Sequence, residues 1–446
     1  MKHFKFVILL LYLCNTVFSQ NSICPPGLYI ADPTTRVWKD GHLYVYGSRD
    51  ESLNYYCSYD YWVLSTSDLI NWQYTPIVFA SKGINDQVPY NDKLLFAPDC
   101  MYKNGTYFLY YCQPGGIEGV ATSKSPIGPF TNAKEIYLKN KNQIDPAVFI
   151  DDNGQAYYIW GQFQAKIAKL KPNMIEIDST TIVDNLVSEK KHFFHEGGYM
   201  VKRKGIYYFI YAHMGRKGMP TCIGYSTSKS PLGPFEYKGV IVDNDGCDPA
   251  NWNNHGSIVE FKEQWYVFYH RTTNGVKSMR KTCIEPIYFN KDGTINEVEM
   301  TSQGAGKPLD AFSKIEAERA CLMFGNVRIE SEWDRENPLS PTNSDRLGKI
   351  RNGDWAVYKY INFGNGARKV SLCVANGSKP CKIQIKLNTI WGPTVGIIDI
   401  PKGEDGKLWT TITKDIKLTK NVHALYLVFS GEDDLLLNID WLRFDK

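Results

Sequence analysis

Thr106-Tyr107-Phe108-Leu109-Tyr110-Tyr111 follows the turn Asn104-Gly105, and this coupling of a tight turn to an aromatic run decides the fold. Aromatic and branched residues favour strands, and Asn-Gly before such a run is a hairpin signal. The run recurs as His42-Leu43-Tyr44-Val45-Tyr46-Gly47, Ala156-Tyr157-Tyr158-Ile159-Trp160-Gly161, Ile206-Tyr207-Tyr208-Phe209-Ile210-Tyr211 and Trp265-Tyr266-Val267-Phe268-Tyr269-His270. The preceding turns are Asp40-Gly41, Asn153-Gly154, Lys204-Gly205 and the weaker Glu263-Gln264. The spacing of about fifty to sixty residues suits one four-stranded propeller blade. A second repeat has the same period: Thr122-Ser123-Lys124-Ser125-Pro126-Ile127-Gly128-Pro129-Phe130 returns almost unchanged at 227–235, and Thr66-Ser67-Asp68-Leu69-Ile70-Asn71-Trp72 fills that slot in the first copy. Five copies predict five blades; a sandwich would give many strands without this period.

The propeller pattern stops near residue 300, so residues 20–300 are expected to form a five-bladed β-propeller. A Gly-rich polar stretch begins at Thr301, and residues 301–313 read as a linker. A new all-β pattern starts at Ile315-Glu316-Ala317-Glu318 and ends with strands at 424–429 and 435–444, which predicts a β-sandwich (jelly-roll) over 314–446. The whole chain is therefore expected to be all-β. Its 446 residues agree with two domains.

The net charge of +4 is small, with no block of like charge, which excludes nucleic acid and anionic membranes as expected partners. Aromatic residues make up 14% of the chain, led by 29 Tyr and 11 Trp; they suit a β-rich core and also surfaces on which a sugar ring can lie. Lys2, Lys5, the apolar run 6–12 and Val17-Phe18-Ser19 before Gln20 read as a secretory signal over 1–19, too short to span a bilayer. The expected location is secreted or periplasmic, with no transmembrane segment. Cys14 leaves with the signal. Export would permit disulfides among the other ten cysteines; Cys100 and Cys112, and Cys373 and Cys381, are close in sequence, but buried free thiols are equally compatible. No CxxC pair or His-rich cluster suggests zinc.

Ahead of each aromatic hairpin the chain places polar residues in a similar context: Ala31-Asp32-Pro33, Phe96-Ala97-Pro98-Asp99, Ile144-Asp145-Pro146-Ala147, His195-Glu196-Gly197-Gly198 and Asn253-Asn254-His255-Gly256-Ser257. The innermost strand of every blade starts at the central channel, so these points converge on one mouth. Glycoside hydrolysis needs one protonated carboxyl for the leaving oxygen and one ionised carboxylate to activate water or attack carbon. A third acid nearby raises the donor's pKa by repulsion. Asp32, Asp145 and Glu196 supply that inventory, although any Asp-Pro pair alone reads as a turn.

On these motifs the first three hundred residues resemble glycoside hydrolase family 43, five-bladed propellers that invert configuration and act mainly on arabinose- and xylose-containing polysaccharides. The resemblance implies that Asp32 is the general base, that Glu196 is the general acid, and that Asp145 orients Glu196 and raises its pKa. It matches His255 to an axial histidine that in many members sits by a calcium ion held largely through water, and it leaves a structural calcium possible both there and in the C-terminal module. It matches Phe96 and Trp160 to the hydrophobic wall of the sugar pocket, and Arg271 to a basic contact with the sugar or a carboxylate. One departure is Gly198, where the family commonly carries proline. No organic cofactor is implied.

The C-terminal third resembles family 6 carbohydrate-binding modules through Ile315-Glu316-Ala317-Glu318, Asn352-Gly353-Asp354-Trp355 and Asn438-Ile439-Asp440-Trp441-Leu442-Arg443-Phe444. Such modules bind sugar through two stacking aromatics and an asparagine, often with structural calcium. Asn438 matches the asparagine. Lys349 stands where one aromatic is expected, and Gly406 where the first ring of a two-Trp pattern would be, leaving Trp409. A packing role for this domain is the alternative to sugar binding. The expected function is release of a terminal pentose, α-L-arabinofuranose first, with β-xylosidase, β-galactofuranosidase or endo-arabinanase action as alternatives within the family. A non-catalytic glycan-binding protein is the alternative of another class.

Overall fold

The computed structural model describes residues 21–137, 143–403, 407–432 and 435–446; the expected signal segment 1–19, Cys14 and Gly406 lie outside them. Five antiparallel sheets follow one another along the chain. The first blade is Ile30–Val37, Leu43–Arg49, Asp60–Thr66 and Gln73–Ala80. The second is Asp99–Lys103, Thr106–Gln113, Ile117–Ser123 and Thr131–Ile136. The third is Ala147–Ile150, Ala156–Trp160 and Lys166–Lys169. The fourth is Phe194–Arg203, Ile206–His213, Cys222–Ser228 and Glu236–Asp243. The fifth is Ser257–Phe261, Gln264–Thr273 and Val276–Ile287. The third and fifth sheets thus have three strands where the repeat predicts four. In the third, residues 177–188 cover the outer edge through isolated bridges at Leu170, Ile167 and Gln164 only.

The aromatic runs are the second strands of the blades. Their alternating side chains serve two interblade cores at once, because successive residues of a strand point to opposite faces. In Thr106–Gln113, Leu109 and Tyr111 pack with Tyr44 and Tyr46 of the first blade, whereas Tyr110 packs with Tyr158 of the third. Two of the turns ahead of them have positive φ at both positions, Asn104 (50°) with Gly105 (77°) and Lys204 (48°) with Gly205 (76°). That mirror-image turn matches the twist of the strands it joins. The fifth turn uses Lys262 (50°) and Glu263 (65°), one residue earlier than the sequence suggests and without glycine.

Side chains from the first strands hold the propeller axis. Arg36 donates to Asp99 (2.8 and 2.6 Å), to the Cys100 carbonyl (3.0 Å), to the Val148 carbonyl (3.0 Å) and to the Tyr199 hydroxyl (2.7 Å). One guanidinium therefore links four blades. Thr35 and Ser257 hydroxyls meet at 2.8 Å to bring in the fifth.

The C-terminal sandwich has two six-stranded sheets around one apolar core. One orders Leu309–Asp310, Trp355–Asn362, Val422–Gly431, Cys381–Leu387 and Thr394–Ile400, with Leu322–Phe324 also on Trp355–Asn362. The other orders Arg328–Glu332, Ser344–Gly348, Leu437–Asp445, Ala367–Asn376 and Trp409–Thr419, with Ile315–Glu316 on Leu437–Asp445. Residues 301–313, read as a linker from their composition, are packed against both domains. Thr301 and Ser302 are buried, Thr301 donates to Glu285 of the fifth blade, and Leu309–Asp310 joins the sandwich as a parallel strand. All ten described cysteines are buried free thiols, including Cys100, Cys112, Cys373 and Cys381.

Candidate active site

Asp32, Phe96, Asp145, Glu196 and His255, drawn from all five blades or the loops that enter them, line one pocket of about 210 Å³. The local backbone aims the acids there. Asp32 interrupts its strand at a register slip between Ala31 and Thr34, and Glu196 lies between two slips at Phe194 and Tyr199. Bulges of this kind turn a side chain out of the sheet plane. Asp32 (φ 51°) and Asp145 (φ 55°) both adopt left-handed backbone directly before a proline. That conformation is disfavoured for an L-residue, more so ahead of proline, and costs on the order of 1–3 kcal/mol each. Its repetition in two blades carries both carboxyls into the same mouth.

Asp32 is the most heavily supported acid. Its carboxylate accepts from Ser48 Oγ (2.7 Å) and Arg280 Nη1 (2.8 Å), and its backbone N–H donates to His270 Nδ1 (3.2 Å). Burial disfavours its charge, but Arg280, followed by His255, His270 and Ser48, outweighs that and lowers its pKa to about 2. Arg280 is itself held on the far side by Asp50, at 2.9 Å from both Nε and Nη2, and its guanidinium lies 4.9 Å from the centre of the Tyr56 ring. Burial, and then Arg280, push His270 down to about 3, so its ring is neutral. His270 Nε2 faces the Asn253 carbonyl at 3.2 Å, which leaves Nδ1 as the acceptor for Asp32.

Asp145 is in the opposite electrostatic state. Burial raises its pKa well above the ordinary range, and Glu196, Asp32 and Glu118 add to that in turn. Its nearest polar neighbours are weak: its N–H points at Cys112 Sγ (3.3 Å), and that thiol lies 4.0 Å from Oδ1. Glu196 accepts a 2.7 Å hydrogen bond from Gln162 Nε2. The mouth therefore holds one firmly ionised carboxylate, Asp32, and a second, Asp145, whose burial and acidic neighbours favour its protonated form. That division is what acid–base hydrolysis of an acetal requires.

His255 lies between these groups, with Nδ1 3.6 Å from Asp32 Oδ1 and 4.0 Å from Asp145 Oδ2. Burial first, then Arg280, lower its pKa despite Asp32 and Glu196. A Cβ on Gly197 (φ +66°) would come within 2.6–2.8 Å of the His255 ring, so glycine is needed after Glu196 for two separate reasons. A Cβ on Gly198 would stand 2.6 Å from Phe209, which accounts for a second small residue there. The calcium expected beside His255 is one held largely through water, so it calls for no close set of side-chain ligands at this point. His255 faces the two acids across gaps of 3.6 and 4.0 Å, and among the described residues no group of three or more His, Cys, Asp or Glu is placed to hold a metal.

Two expected pocket residues lie elsewhere. Trp160 is only 1% exposed and packs 5.8 Å from the Tyr158 ring in the core between the second and third blades. The strand ends at Trp160, and Gln162 beyond it reaches the pocket instead. Arg271 is 1% exposed and donates to the Ala320 (2.8 Å) and Glu318 (2.7 Å) carbonyls of the C-terminal unit. Its neighbour His270 points the other way, to Asp32, so a one-residue step along the strand separates the two faces. The residues that sequence reading missed are Arg280, His270, Ser48, Gln162, Tyr56 and Trp252. Arg280 carries no sequence signal of its own: only the antiparallel pairing of its strand Val276–Ile287 with the strand of His270 brings it to the site. Phe96 does line the pocket wall, with Tyr56 and the partly exposed Trp252.

In the C-terminal unit Asn438 is 8% exposed, paired opposite Ala375, with its amide oxygen toward Gly348. Lys349, in the place of the expected aromatic, lies 4.0 Å from Glu330, beside Arg346 at 3.9 Å. Charged pairing thus takes up surface that a stacking ring would offer.

Residues 27–295 match the family model "Glycosyl hydrolases family 43". The chain belongs to that family. Residues 319–446 match the model "Carbohydrate binding module (family 6)". The family 43 chain is 30% identical to an arabinoxylan arabinofuranohydrolase of Bacillus subtilis, over 93% of this chain and 90% of that one. It is also 30% identical to a xylosidase/arabinosidase of Thermoclostridium stercorarium, over 92% and 96% of the two chains. Among solved structures it is similar to a Bacillus subtilis family 43 arabinoxylan arabinofuranohydrolase in complex with cellotetraose, with a TM-score of 0.55 and 27% identity over 95% and 96% of the chains. A β-xylosidase/α-arabinofuranosidase from a compost metagenome, in complex with xylotriose and described as calcium-free, gives a TM-score of 0.53 at 27% identity, over 63% of this chain and 98% of that one. The protein is a glycoside hydrolase: a five-bladed propeller followed by a β-sandwich module.

Proposed function

We propose that this hydrolase releases a terminal α-L-arabinofuranose from arabinoxylan-type polysaccharide or its oligosaccharides, with inversion at the anomeric carbon. The observation that carries the reading is the pocket, where three carboxyls converge in about 210 Å³. That is below the roughly 300–1,000 Å³ of clefts that take drug-sized ligands, so it suits one sugar ring and not a run of chain. In this reading Asp32, ionised by Arg280, takes a proton from water as the water oxygen bonds to the anomeric carbon. The glycosidic C–O bond breaks on the opposite face, its electrons go to the leaving oxygen, and Glu196 supplies the proton that oxygen takes up. Asp145 orients Glu196, and Gln162 fixes the carboxyl that donates. Asp32 ends protonated and Glu196 ionised, and exchange with solvent resets both.

The arabinofuranose preference draws support from the names of the Bacillus subtilis and Thermoclostridium stercorarium relatives. β-Xylosidase action is the second reading, supported by a Xylanibacter ruminicola β-xylosidase at 29% identity. Export through the N-terminal segment belongs to this proposal, since a cell-wall polymer is met outside the cell. Assaying wild type and Glu196→Gln on nitrophenyl α-L-arabinofuranoside, nitrophenyl β-D-xyloside and arabinoxylan tests the assignment. The wild type should release arabinose fastest, and Glu196→Gln should fold normally and lose about 10²–10⁴-fold in kcat. Unchanged turnover in that variant removes Glu196 from the role of acid.

A further inference from the structure

The hairpin Gln264–Thr273/Val276–Ile287 has two working faces. His270 and Arg280 both reach Asp32, His270 accepting from its backbone N–H at 3.2 Å and Arg280, at the pocket wall, donating to its carboxylate at 2.8 Å. Their chain neighbours Arg271 and Lys281 are cross-strand partners and point the other way. Both are buried at the C-terminal sandwich, Arg271 against the Glu318 and Ala320 carbonyls and Lys281 in an ion pair with Asp345. The sandwich also holds the tip of this hairpin: Asn274 N–H donates to the Ile329 carbonyl (2.8 Å), and Ser331 N–H to Asn274 Oδ1 (2.9 Å).

The other support of Arg280 is gripped from the same side. Asp50 and Tyr56, which hold its guanidinium, belong to one rim loop of the first blade. In that loop Glu51 Oε1 and the Tyr55 hydroxyl both receive Arg335 of the sandwich, at 3.0 and 2.9 Å. Trp333 packs edge-on against Tyr29 at 5.3 Å beside it. The hairpin that carries Arg280 and the loop that holds it through Asp50 and Tyr56 are thus both fastened to the second domain, while among the described residues no sandwich residue lines the pocket itself.

We infer that the sandwich is a positioning element of the active site: through Lys281–Asp345 and Arg335–Glu51 it sets Arg280, and through Arg280 the Asp32 carboxylate. The inference rests on the proposed role of Asp32 as base. It gives Asp345 and Arg335 effects on hydrolysis of a substrate too small to reach the sandwich, which a module that only captures polysaccharide would not have.

The test uses the full chain and the nitrophenyl pentoside that the wild type cleaves best, with kcat, KM and the pH profile measured for Asp345→Asn, Asp345→Glu, Arg335→Ala and Trp391→Ala. The charged and titratable groups facing Asp32 are Arg280, His255 and His270, with Asp50 and Asp145 behind them. Loosening Arg280 therefore moves the acidic limb of the profile upward, a change that plain loss of stability does not produce. Asp345→Asn should lose about ten-fold or more in kcat, with little change in KM and with the acidic limb raised by about half a unit or more. Asp345→Glu should recover much of this, and Arg335→Ala should move kcat and the limb in the same direction by less. Trp391→Ala, an 89% exposed position on the same domain, should match the wild type. A folded Asp345→Asn with wild-type kcat and acidic limb overturns the inference. If that variant does not fold, Arg335→Ala decides, and wild-type behaviour there overturns it equally. Asp32→Asn in the same assay separates the two readings: if it is active, the base assignment has failed, and if it is inactive while Asp345→Asn and Arg335→Ala are normal, only the positioning role has failed.

Discussion

At the scale of single residues, the site separates two like groups by their surroundings. Asp32 and Asp145 share a left-handed, pre-proline backbone, yet one lies against a guanidinium and the other against a thiol. The arginine therefore decides the base. Arg280→Lys keeps a positive charge but loses the fork that spans Asp32 and Asp50. The Asp32 pKa should then climb from about 2 toward its ordinary value near 3.9. A base must be ionised to work, so the acidic limb of kcat/KM should move to higher pH by about one unit, and kcat should fall about 10–100-fold. The sign for stability agrees. A carboxyl depressed in the folded state contributes stability above its unfolded pKa and loses it as pH falls through the folded value, so the stability advantage of wild type over Arg280→Lys should be full above about pH 4 and disappear as the pH falls to about 2. A pH–rate series with parallel melting curves measures both. An unmoved acidic limb would mean that Arg280 does not set the base.

At the scale of elements, the blades close by side chains, with Arg36 as the hub. Arg36→Met leaves Asp99 fully buried with its charge uncompensated, although two backbone N–H groups at 2.7 Å still reach it. Removing one partner of such a buried pair costs about 3–5 kcal/mol. For a domain of this size that corresponds to a fall in Tm of roughly 10 °C, readable by calorimetry. A change of a degree or less would show that the axis does not depend on this pair. The elements also mark the boundary of what sequence can reveal. Asn104-Gly105 and Lys204-Gly205 announce their hairpins because their backbone demands such residues. Lys262 and Glu263 adopt the same positive φ through tertiary constraint, and no local signal records it. Trp160 and Arg271 were misread for a related reason: being on the right strand does not say which face a residue takes.

For the whole molecule, the five-fold period made the propeller legible, since each repeat names a blade and each blade contributes one point to a common mouth. The acids were legible because they sit at those points. Arg280, Gln162 and Tyr56 were not, because they reach the pocket from strand interiors and rim loops that carry no repeat. The role of the second domain was hidden in the same way: Asp345, Arg335 and Glu318 become meaningful only once the hairpin they hold is seen to carry Arg280 on its other face. The central claim is that a single-displacement hydrolysis runs between Asp32 on the first blade and Glu196 on the fourth. Proton NMR of the first-formed sugar, recorded before mutarotation, tests it most directly. The account predicts a product whose anomeric configuration is opposite to that of the substrate; a product with retained configuration would contradict it and remove Asp32 from its place as base.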